Sequence, residues 1–140
     1  MGNVFYDKAK KNLWNGTVNL ASDSIKVLLV DNTYAPTVSS THEFKSDVSG
    51  EITGTGYTAG GVALANKAVT ADATNHKGKF DADDAVWSSA TFTAYGAVLY
   101  KDTGTPATSP LVGFVDFGGA KPVSGGSFTI QWDPSGIANY

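Results

Sequence analysis

Cysteine and arginine are both missing from this chain of 140 residues. Without cysteine, no disulfide can hold the fold together, and a metal site would have to use histidine and carboxylate ligands. Without arginine, the chain lacks the side chain that makes bidentate contacts to phosphate and to guanine. The net charge is −3 as well. We therefore expect no direct recognition of nucleic acid.

Long apolar runs are also missing, and so is a signal-peptide pattern. The longest apolar run is far shorter than the ~20 residues that a membrane span needs. Lys8, Lys10 and Lys11 are not followed by an apolar segment. We therefore expect no membrane partner and no secretion through a cleaved signal. With 41% hydrophobic residues, only 16% charged residues and 16 glycines, the composition is typical of a folded chain rich in loops.

The fold is expected to be organised around the stretch Thr91–Gly118. Two apolar runs within it, Phe92–Tyr100 and Leu111–Phe117, are rich in Val, Phe, Tyr and Thr, which favour strands. The connector between them, Lys101–Pro110, contains one glycine and two prolines, which interrupt regular structure. The pattern predicts a strand, a projecting loop and a second strand, which form an antiparallel pair near the centre of the fold.

Other segments have the composition of strands as well. They are Thr17–Leu20, Ile25–Asp31, Val62–Asp72, Lys79–Trp87 and Ser127–Trp132. The almost continuous apolar character of Ile25–Asp31 indicates an inner strand, whereas the alternation in Ser127–Trp132 indicates a strand with one solvated face. We expect Phe80, Ala82 and Val86 to lie on one face of their strand.

The two ends of the chain are expected to differ from its centre. Residues 1–16 predict a short helix that begins at Val4, is capped by Asn3 and stops before Gly16. Its narrow apolar stripe consists of Phe5, Ala9 and Leu13. The tail Asp133–Tyr140 contains a proline and a glycine, and we expect it to be extended or irregular.

Together these segments predict a mainly β fold, an antiparallel β-sandwich or barrel with one short N-terminal helix. A split antiparallel sheet with the helix packed on it fits the same pattern. We expect a single β domain over residues 1–140, with an N-terminal helix or arm at 1–16, the β-sandwich at 17–132 and an extended tail at 133–140.

A long excursion interrupts the strands at Asn32–Gly61, and loops of that length tend to be functional. Within it, Gly54–Gly61 has the glycine content of a phosphate-binding loop. It has no lysine at the required position, however, and its glycines depart from the GxGxxG spacing. We therefore interpret this segment as a flexible loop on the surface.

Metal-binding residues are sparse. His42 and His76 both fall in predicted loops, and no second histidine follows His42 at the spacing of a helical zinc site. Asp81, Asp83 and Asp84 are weak candidates for a Ca²⁺ site, because alternate carboxylates can supply hard oxygen ligands. The segment lacks the glycine and the terminal glutamate of an EF-hand. We favour solvated acids at an exposed strand edge, and we expect no metal and no cofactor.

No catalytic constellation is apparent. The chain contains no GxSxG motif around a serine nucleophile. Its two glutamates, Glu43 and Glu51, lie in the long excursion, although the acids of a glycosidase can be distant in sequence. We expect no catalytic residue and no enzyme activity.

The aromatic residues offer one further possibility. Trp14, Trp87 and Trp132, together with six tyrosines, can form a stacking platform for sugars. In a small β domain such residues more often form the core, because each of them buries a large area. A carbohydrate-binding module is therefore kept as an alternative.

Four strings of the sequence resemble a family of small structural proteins from the virions of tailed bacteriophages. The strings are VFYDKAKKNLWNGTVNLASDSIKVLLVD (4–31), THEFKSDVSGEITGTGYTAGG (41–61), FDADDAVWSSATFTAYGAVLYKDTGTPATSPLVGFVDFGG (80–119) and SGGSFTIQWDPSGI (124–137). They span nearly the whole chain. The resemblance carries no role for any individual residue.

The resemblance implies a non-enzymatic component of the virion, in the first place a capsid decoration or cement protein that stabilises the major capsid shell from outside. It would be made in the host cytoplasm, where a fold without cysteine tolerates reducing conditions. Its partners would be the major capsid protein and copies of itself, arranged as trimers at symmetry axes. The alternatives are a tail, head–tail connector or fibre-associated protein, and a receptor- or glycan-binding module.

Under this hypothesis, the contacts lie at the ends of the chain and in the central loop. Residues 2–14 or the tail Asp133–Tyr140 would contact the shell or a neighbouring copy, and Lys101–Pro110 would bridge to another subunit. The interface candidates are Val4, Phe5, Tyr6, Lys101, Asp102, Thr103, Gly104, Thr105, Pro106, Ile137 and Tyr140.

Overall fold

The computed structural model describes residues 4–36 and 41–139. Its strands are β1 (Val4–Phe5), β2 (Ile25–Val30), β3 (Val62–Ala63), β4 (Ala68–Asp72), β5 (Lys77–Asp81), β6 (Ala85–Lys101), β7 (Leu111–Ile130) and β8 (Ala138–Asn139). One α-helix, α1 (Asp7–Trp14), lies near the N-terminus. Two single turns of 3₁₀-helix occupy Lys45–Asp47 and Pro106–Thr108.

The strands form two antiparallel sheets. The larger sheet has the order β1-β7-β6-β2-β3, and the smaller one has the order β4-β5-β8. All strand pairs are antiparallel. The prediction of a mainly β, antiparallel fold with one short helix near the N-terminus is confirmed. Of the two predicted architectures, the structure is sandwich-like and is not a closed barrel.

The long hairpin of β6 and β7 forms the centre of the larger sheet, as the sequence predicts. It is longer than predicted, because β7 continues for 20 residues through a bulge. Between the pairs Ala94–Lys121 and Gly96–Asp116, β7 contains residues 117–120 where β6 contains only Tyr95. Two glycines in this bulge have positive φ angles, which bends the ribbon without steric cost.

β2 is buried on both faces, which confirms the prediction of an inner strand. Successive side chains of a strand point to opposite faces, so Val27 and Leu29 contribute to one core and Leu28 and Val30 to the other. The first core lies between the two sheets. Phe80 of β5 is the buried side chain that the smaller sheet contributes to it. Because both faces of β2 are apolar, the larger sheet needs a cover on each side.

The second core is covered by α1 and by residues that follow β2. Tyr6 is fully buried there, together with Ala9 of the helix and Tyr34. The hydroxyl groups of Tyr6 and Tyr34 are 2.6 Å apart and form a buried hydrogen bond. This bond links the start of the helix to the segment after β2 and satisfies two hydroxyls that would otherwise be costly to bury.

The N-terminal helix begins later than predicted. Val4 and Phe5 form a strand that pairs with Phe114 and Gly113 of β7, so the first helical residue is Asp7. Asn3, the predicted cap, lies outside the described residues. The predicted stop is confirmed, since Gly16 has a φ of 81° just after the helix. Within residues 4–36 and 41–139, no helix is long and apolar enough to cross a membrane.

The tail is also more regular than predicted. After a turn at residues 133–136, Ala138 pairs with Phe80 and Asn139 with Lys79, so the tail supplies the third strand of the smaller sheet. The predicted boundaries at 1–16 and 133–140 therefore do not separate an arm and a tail from the β structure. Both ends of the described chain belong to the sheets.

Thr17–Leu20 does not form the predicted strand. The side-chain oxygen of Asn19 accepts the backbone N–H groups of Ala21 and Ser22, and Asp23 accepts the N–H of Asn19. These local bonds occupy the groups that a strand would pair with a neighbour. Val18 and Leu20 are nevertheless buried in the core between the sheets.

Two of the predicted strands are each divided between the two sheets. Val62–Asp72 separates into β3 and β4, and Lys79–Trp87 separates into the end of β5 and the start of β6. The predicted common face of the second segment is therefore wrong at Val86, whose exposed fraction is 47% whereas Phe80 is buried. Because β6 starts anew at Ala85, it is Ala85 and Trp87 that point inward.

The glycine at position 61 gives a direct test of the packing between the loop and β2. A Cβ atom on Gly61 would collide with the carbonyl oxygen of Val27, and the φ of Gly61 is +78°. Gly104 has a φ of +88° with nothing near its Cβ position, so it is a matched control. Gly104→Ala should lower the free energy of unfolding by about 1–2 kcal/mol from backbone strain alone. Gly61→Ala should lower it by about 1–3 kcal/mol more, as overpacked variants do.

Urea denaturation of both variants checks this expectation. If the two variants lose the same free energy of unfolding, the loop moves away from β2 at little cost. That result would contradict close packing of Gly61 against Val27.

Candidate functional site

The three acidic residues after β5 do not converge on a common point. Asp81 accepts the N–H of Ala82, and Asp83 accepts the side-chain amide of Asn66 at 2.6 Å. Asp84 accepts the backbone N–H of Trp132 at 3.0 Å. Each carboxylate is thus engaged with a different part of the chain. In the described residues, no group of three or more His, Asp or Glu side chains is placed to hold a metal ion.

The two histidines lie in different environments. His42 stacks on Tyr34 with ring centroids 5.6 Å apart, and its Nδ1 is 3.1 Å from the Tyr34 hydroxyl. His76 is exposed in the turn between β4 and β5, with a φ of 56°. His42 therefore extends the hydrogen-bonded tyrosine pair of the second core, and the structure does not bring the two histidines into one cluster of ligands.

The glycine-rich segment Gly54–Gly61 is held against the larger sheet, which corrects its interpretation as a flexible loop. The Tyr57 hydroxyl donates to Glu51 at 2.7 Å and accepts the N–H of Leu29 at 3.1 Å. The Glu51 carboxylate also accepts the N–H of Gly60 at 2.6 Å. Burial raises the pKa of the Tyr57 hydroxyl, which keeps it protonated as a donor.

The glycines of this segment serve close packing. A Cβ on Gly54 would press on the carbonyl oxygen of Thr91, and one on Gly56 would press on that of Ser89. The backbone of the segment therefore lies directly against β6. The glycines allow this segment to approach β6 closely. In a phosphate-binding loop, by contrast, glycines allow the backbone to surround a phosphate group.

The two glutamates belong to separate networks. Glu51 is bound in the network of Tyr57, whereas Glu43 forms ion pairs with Lys8 at 3.1 Å and Lys11 at 2.9 Å. The ammonium group of Lys11 first, and then that of Lys8, hold the pKa of Glu43 below its ordinary value. These ion pairs hold α1 against the segment that precedes the first 3₁₀ turn. The two acids therefore take part in separate contacts.

The three tryptophans are dispersed, so they form no common platform. Trp87 is buried in the core between the sheets, where it stacks on Tyr57 and meets Phe128 edge to face. Its indole N–H is buried without a hydrogen-bond partner among the described residues. Trp132 is half-buried and donates its indole N–H to the carbonyl of Asp83. Trp14, in contrast, is exposed to 92%.

The interface candidates at the base of the central loop are engaged within the chain. Lys101 pairs with Asp23 at 3.1 Å, and Asp102 pairs with Lys26 at 2.8 Å. The ammonium group of Lys26 lowers the pKa of Asp102. These ion pairs join the loop to β2 and to the turn before it, so the two residues hold the loop in place.

The tip of the loop projects into solvent, as the sequence predicts. Residues 103–108, which include the candidates Thr103, Gly104, Thr105 and Pro106, are all exposed. The tip is ordered by its own side chains, because the Thr103 hydroxyl is 2.7 Å from that of Thr108 and the Ser109 hydroxyl donates to the carbonyl of Thr105. The tip is therefore a preformed surface.

The candidates at the two ends are mostly used by the fold. Val4 and Phe5 form β1, and Tyr6 is fully buried. Ile137 packs on the core between the sheets, and its N–H donates to the carbonyl of Phe80. Tyr6 is therefore not available to a partner, which corrects that candidate. Tyr140 lies outside the described residues.

Trp14 belongs to the segment 2–14 that is predicted to contact the shell or a neighbouring copy, although it is not among the individual interface candidates. It lies at the end of α1 beside Lys10, Lys11 and Asn15, and we call these four residues the Trp14 patch. The spacing of the residues in the sequence already indicates this patch. Lys10, Lys11 and Trp14 are spaced three and four residues apart on one helix face, away from the stripe of Ala9 and Leu13.

Comparison of the chain with protein-family models, with curated proteins and with solved structures found no match. The geometry of the described residues therefore has to be interpreted from its own chemistry.

The ion pairs of Glu43 with Lys8 and Lys11 predict how the stability of the fold changes at acid pH. Because the pKa of Glu43 is lowered in the folded state, its contribution to stability is complete above the unfolded carboxyl pKa of about 4.3 and is lost as the pH falls through the lower folded value. Glu43→Gln should therefore be less stable than the wild type at pH 7, and the two should converge near pH 3. Urea denaturation across this pH range measures the difference.

Asp7→Asn is the matched control for this measurement. Asp7 makes one exposed contact with Lys10 at 3.4 Å and lies in the first turn of α1, so its replacement should cause a smaller pH-dependent loss than Glu43→Gln. A constant difference between Glu43→Gln and the wild type across the range would show that the ion pairs with Lys8 and Lys11 contribute nothing.

Proposed function

We propose that this protein is a non-enzymatic structural protein of a tailed-bacteriophage virion, and that it acts as a capsid decoration or cement protein on the major capsid shell. The resemblance of the four sequence strings supports the virion assignment. The exposure of Trp14 supports a docking role and is the observation that carries it. The Trp14 patch is then the surface that meets the shell.

The exposed side chain of Trp14 contributes little to the stability of this fold, but a side chain of this kind contributes strongly to the affinity for a partner. Trp14 is 92% exposed, whereas most large apolar side chains of the described residues are buried or partly buried. Tryptophan is enriched among the few residues that carry most of the energy of protein interfaces. Removing this side chain from water on docking would recover the cost of its exposure. The side chain is thus suited to anchor a partner.

The helix that presents Trp14 is fixed to the body of the protein. Ala9 and Asn12 of α1 are buried, and the ion pairs of Glu43 with Lys8 and Lys11 also hold the helix in place. A rigid helix loses little conformational entropy when its exposed side chain binds. This arrangement favours docking of a preformed surface over folding on contact.

The tip of the central loop supplies a second contact in this proposal. Thr103–Thr108 is exposed and ordered by hydroxyl hydrogen bonds, while Asp102 is tied to Lys26 at its base. A loop ordered in this way can bridge to a neighbouring subunit. Since a shell offers many identical sites, each copy needs only a modest interface.

Replacing Trp14 tests the proposed docking. Trp14→Ala should weaken binding to shells of the parent phage that lack this protein by about thirtyfold or more, which is the loss expected for a residue of this kind. Its stability should stay within about 0.5 kcal/mol of the wild type, because the side chain makes so little contact. Co-sedimentation with the shells measures binding, and urea denaturation measures stability.

Val86→Ala is the matched control, because Val86 is an exposed apolar side chain on β6 at 47% exposure. It should bind like the wild type. Equal binding by Trp14→Ala and the wild type would remove the Trp14 patch from the proposal.

The number of copies per virion, measured by quantitative mass spectrometry, tests the proposed role as a decoration protein. A ratio near one copy per one to three capsid subunits is expected, and a few per cent would indicate a tail or connector protein instead.

A further inference from the structure

Within residues 4–36 and 41–139, the outer edge of β4 has no strand paired with it. β4 pairs with β5 alone, and its residues Ala68–Ala71 are exposed. Val69, with an exposed fraction of 54%, is among the few large apolar residues on the surface of the described chain. A strand edge of this kind presents backbone N–H and C=O groups that are ready to pair with another strand.

Several other edges of the two sheets are short or carry features that oppose pairing, and the edge of β6 before Gly96 is bridged by the loop at Thr55 and Thr91. β1, β3 and β8 end their sheets with only two residues each. The long free part of β7 contains Lys121, Pro122 and a register shift near Gly126. Short strands, proline, lysine and bulges are the usual devices that prevent pairing between edges. The five residues of β4, Ala-Val-Thr-Ala-Asp, include no proline and no lysine, and their pairing with β5 contains no bulge.

The direction of the free backbone groups follows from the pairing of β5. The carbonyl of Phe80 accepts the N–H of Ile137 and therefore faces β8. Because backbone groups alternate along a strand, those of Lys79 face β4, where Lys79 is opposite Thr70. The groups of Thr70 are therefore used within the hairpin. Those of Val69 and Ala71 point to the free edge.

This edge is complementary to itself. If two copies of β4 lie antiparallel and are centred on Thr70, Val69 of each copy is opposite Ala71 of the other. The free N–H and C=O groups of both residues then meet their partners in two hydrogen-bonded pairs. Thr70 is opposite its own copy, which is a favourable cross-strand pair, and Asp72 is opposite Ala68, so no like charges meet. Shifting the register by one residue would lose this match.

We infer that two copies of this protein associate through β4, which pairs antiparallel with β4 of the second copy across a two-fold axis at Thr70. The two smaller sheets then become one continuous sheet with the order β8-β5-β4-β4-β5-β8. The contact is isologous, because the same surface is used by both copies. Val69 is covered in part by the second copy. This inference does not depend on the virion role, and its two-fold symmetry differs from the trimer that the resemblance implies.

Charge at Thr70 gives the sharpest test. Thr70→Glu places a carboxylate opposite Lys79 within the hairpin, which supports the folded chain, but it also brings two carboxylates together at the two-fold axis. Sedimentation equilibrium of the full chain should show a monomer–dimer equilibrium for the wild type. The dimer affinity of Thr70→Glu should be lower by about tenfold or more. Thr129→Glu, at an exposed position of β7, is the matched control and should dimerise like the wild type.

Mixing two variants separates the pairing from a loss of folding. Thr70→Lys alone should also fail to dimerise, whereas an equimolar mixture of Thr70→Glu and Thr70→Lys should recover a dimer because the opposite charges meet at the axis. In the wild type, the amides of Val69 and Ala71 should exchange with solvent more slowly as the concentration rises. A wild type that is only a monomer or a trimer, or a dimer that Thr70→Glu leaves unchanged, would overturn the inference.

Discussion

The structure depends on one constraint, the burial of both faces of β2 and of the adjoining half of β6. Val27 and Leu29 face the smaller sheet, while Leu28 and Val30 face α1 and Tyr34. A sheet that is apolar on both sides cannot be covered by a single layer. The chain therefore builds two different covers, a short sheet on one side and a helix with a long loop on the other.

The covers decide which groups are left for partners. Glu43, Glu51 and Asp102, which are the chemically conspicuous acids of the loops, are bound within the chain to lysines or backbone groups. They hold the loops to α1 and to the larger sheet. The exposed features that the fold does not use include Trp14 at the end of the helix, the hydroxyl-rich tip at residues 103–108 and the edge of β4. Such surfaces suit association with proteins, which agrees with the proposed structural role.

Sequence reasoning succeeded where the structural signal is local and failed where a remote partner supplies it. The apolar run at Ile25–Asp31 and the hairpin around Lys101–Pro110 were predictable, because their composition and turn residues lie within the segments themselves. Val4–Phe5 forms a strand only because β7 lies beside it. The break at residues 82–84 was also missed, since it reflects a change from one sheet to the other. Alternation of apolar residues does not report such a change.

The sequence by itself determined the fold class, the central hairpin, the inner strand and the absence of disulfides, since these follow from composition and from periodicity over a few residues. Only the tertiary structure decided that Tyr6 is buried, that Trp14 is exposed and that the edge of β4 is open. The physical reason is that exposure depends on what packs against a residue from distant parts of the chain. Two aromatic residues at opposite ends of the same helix can therefore differ completely, since Tyr6 just before α1 is buried in the core and Trp14 at its end is exposed.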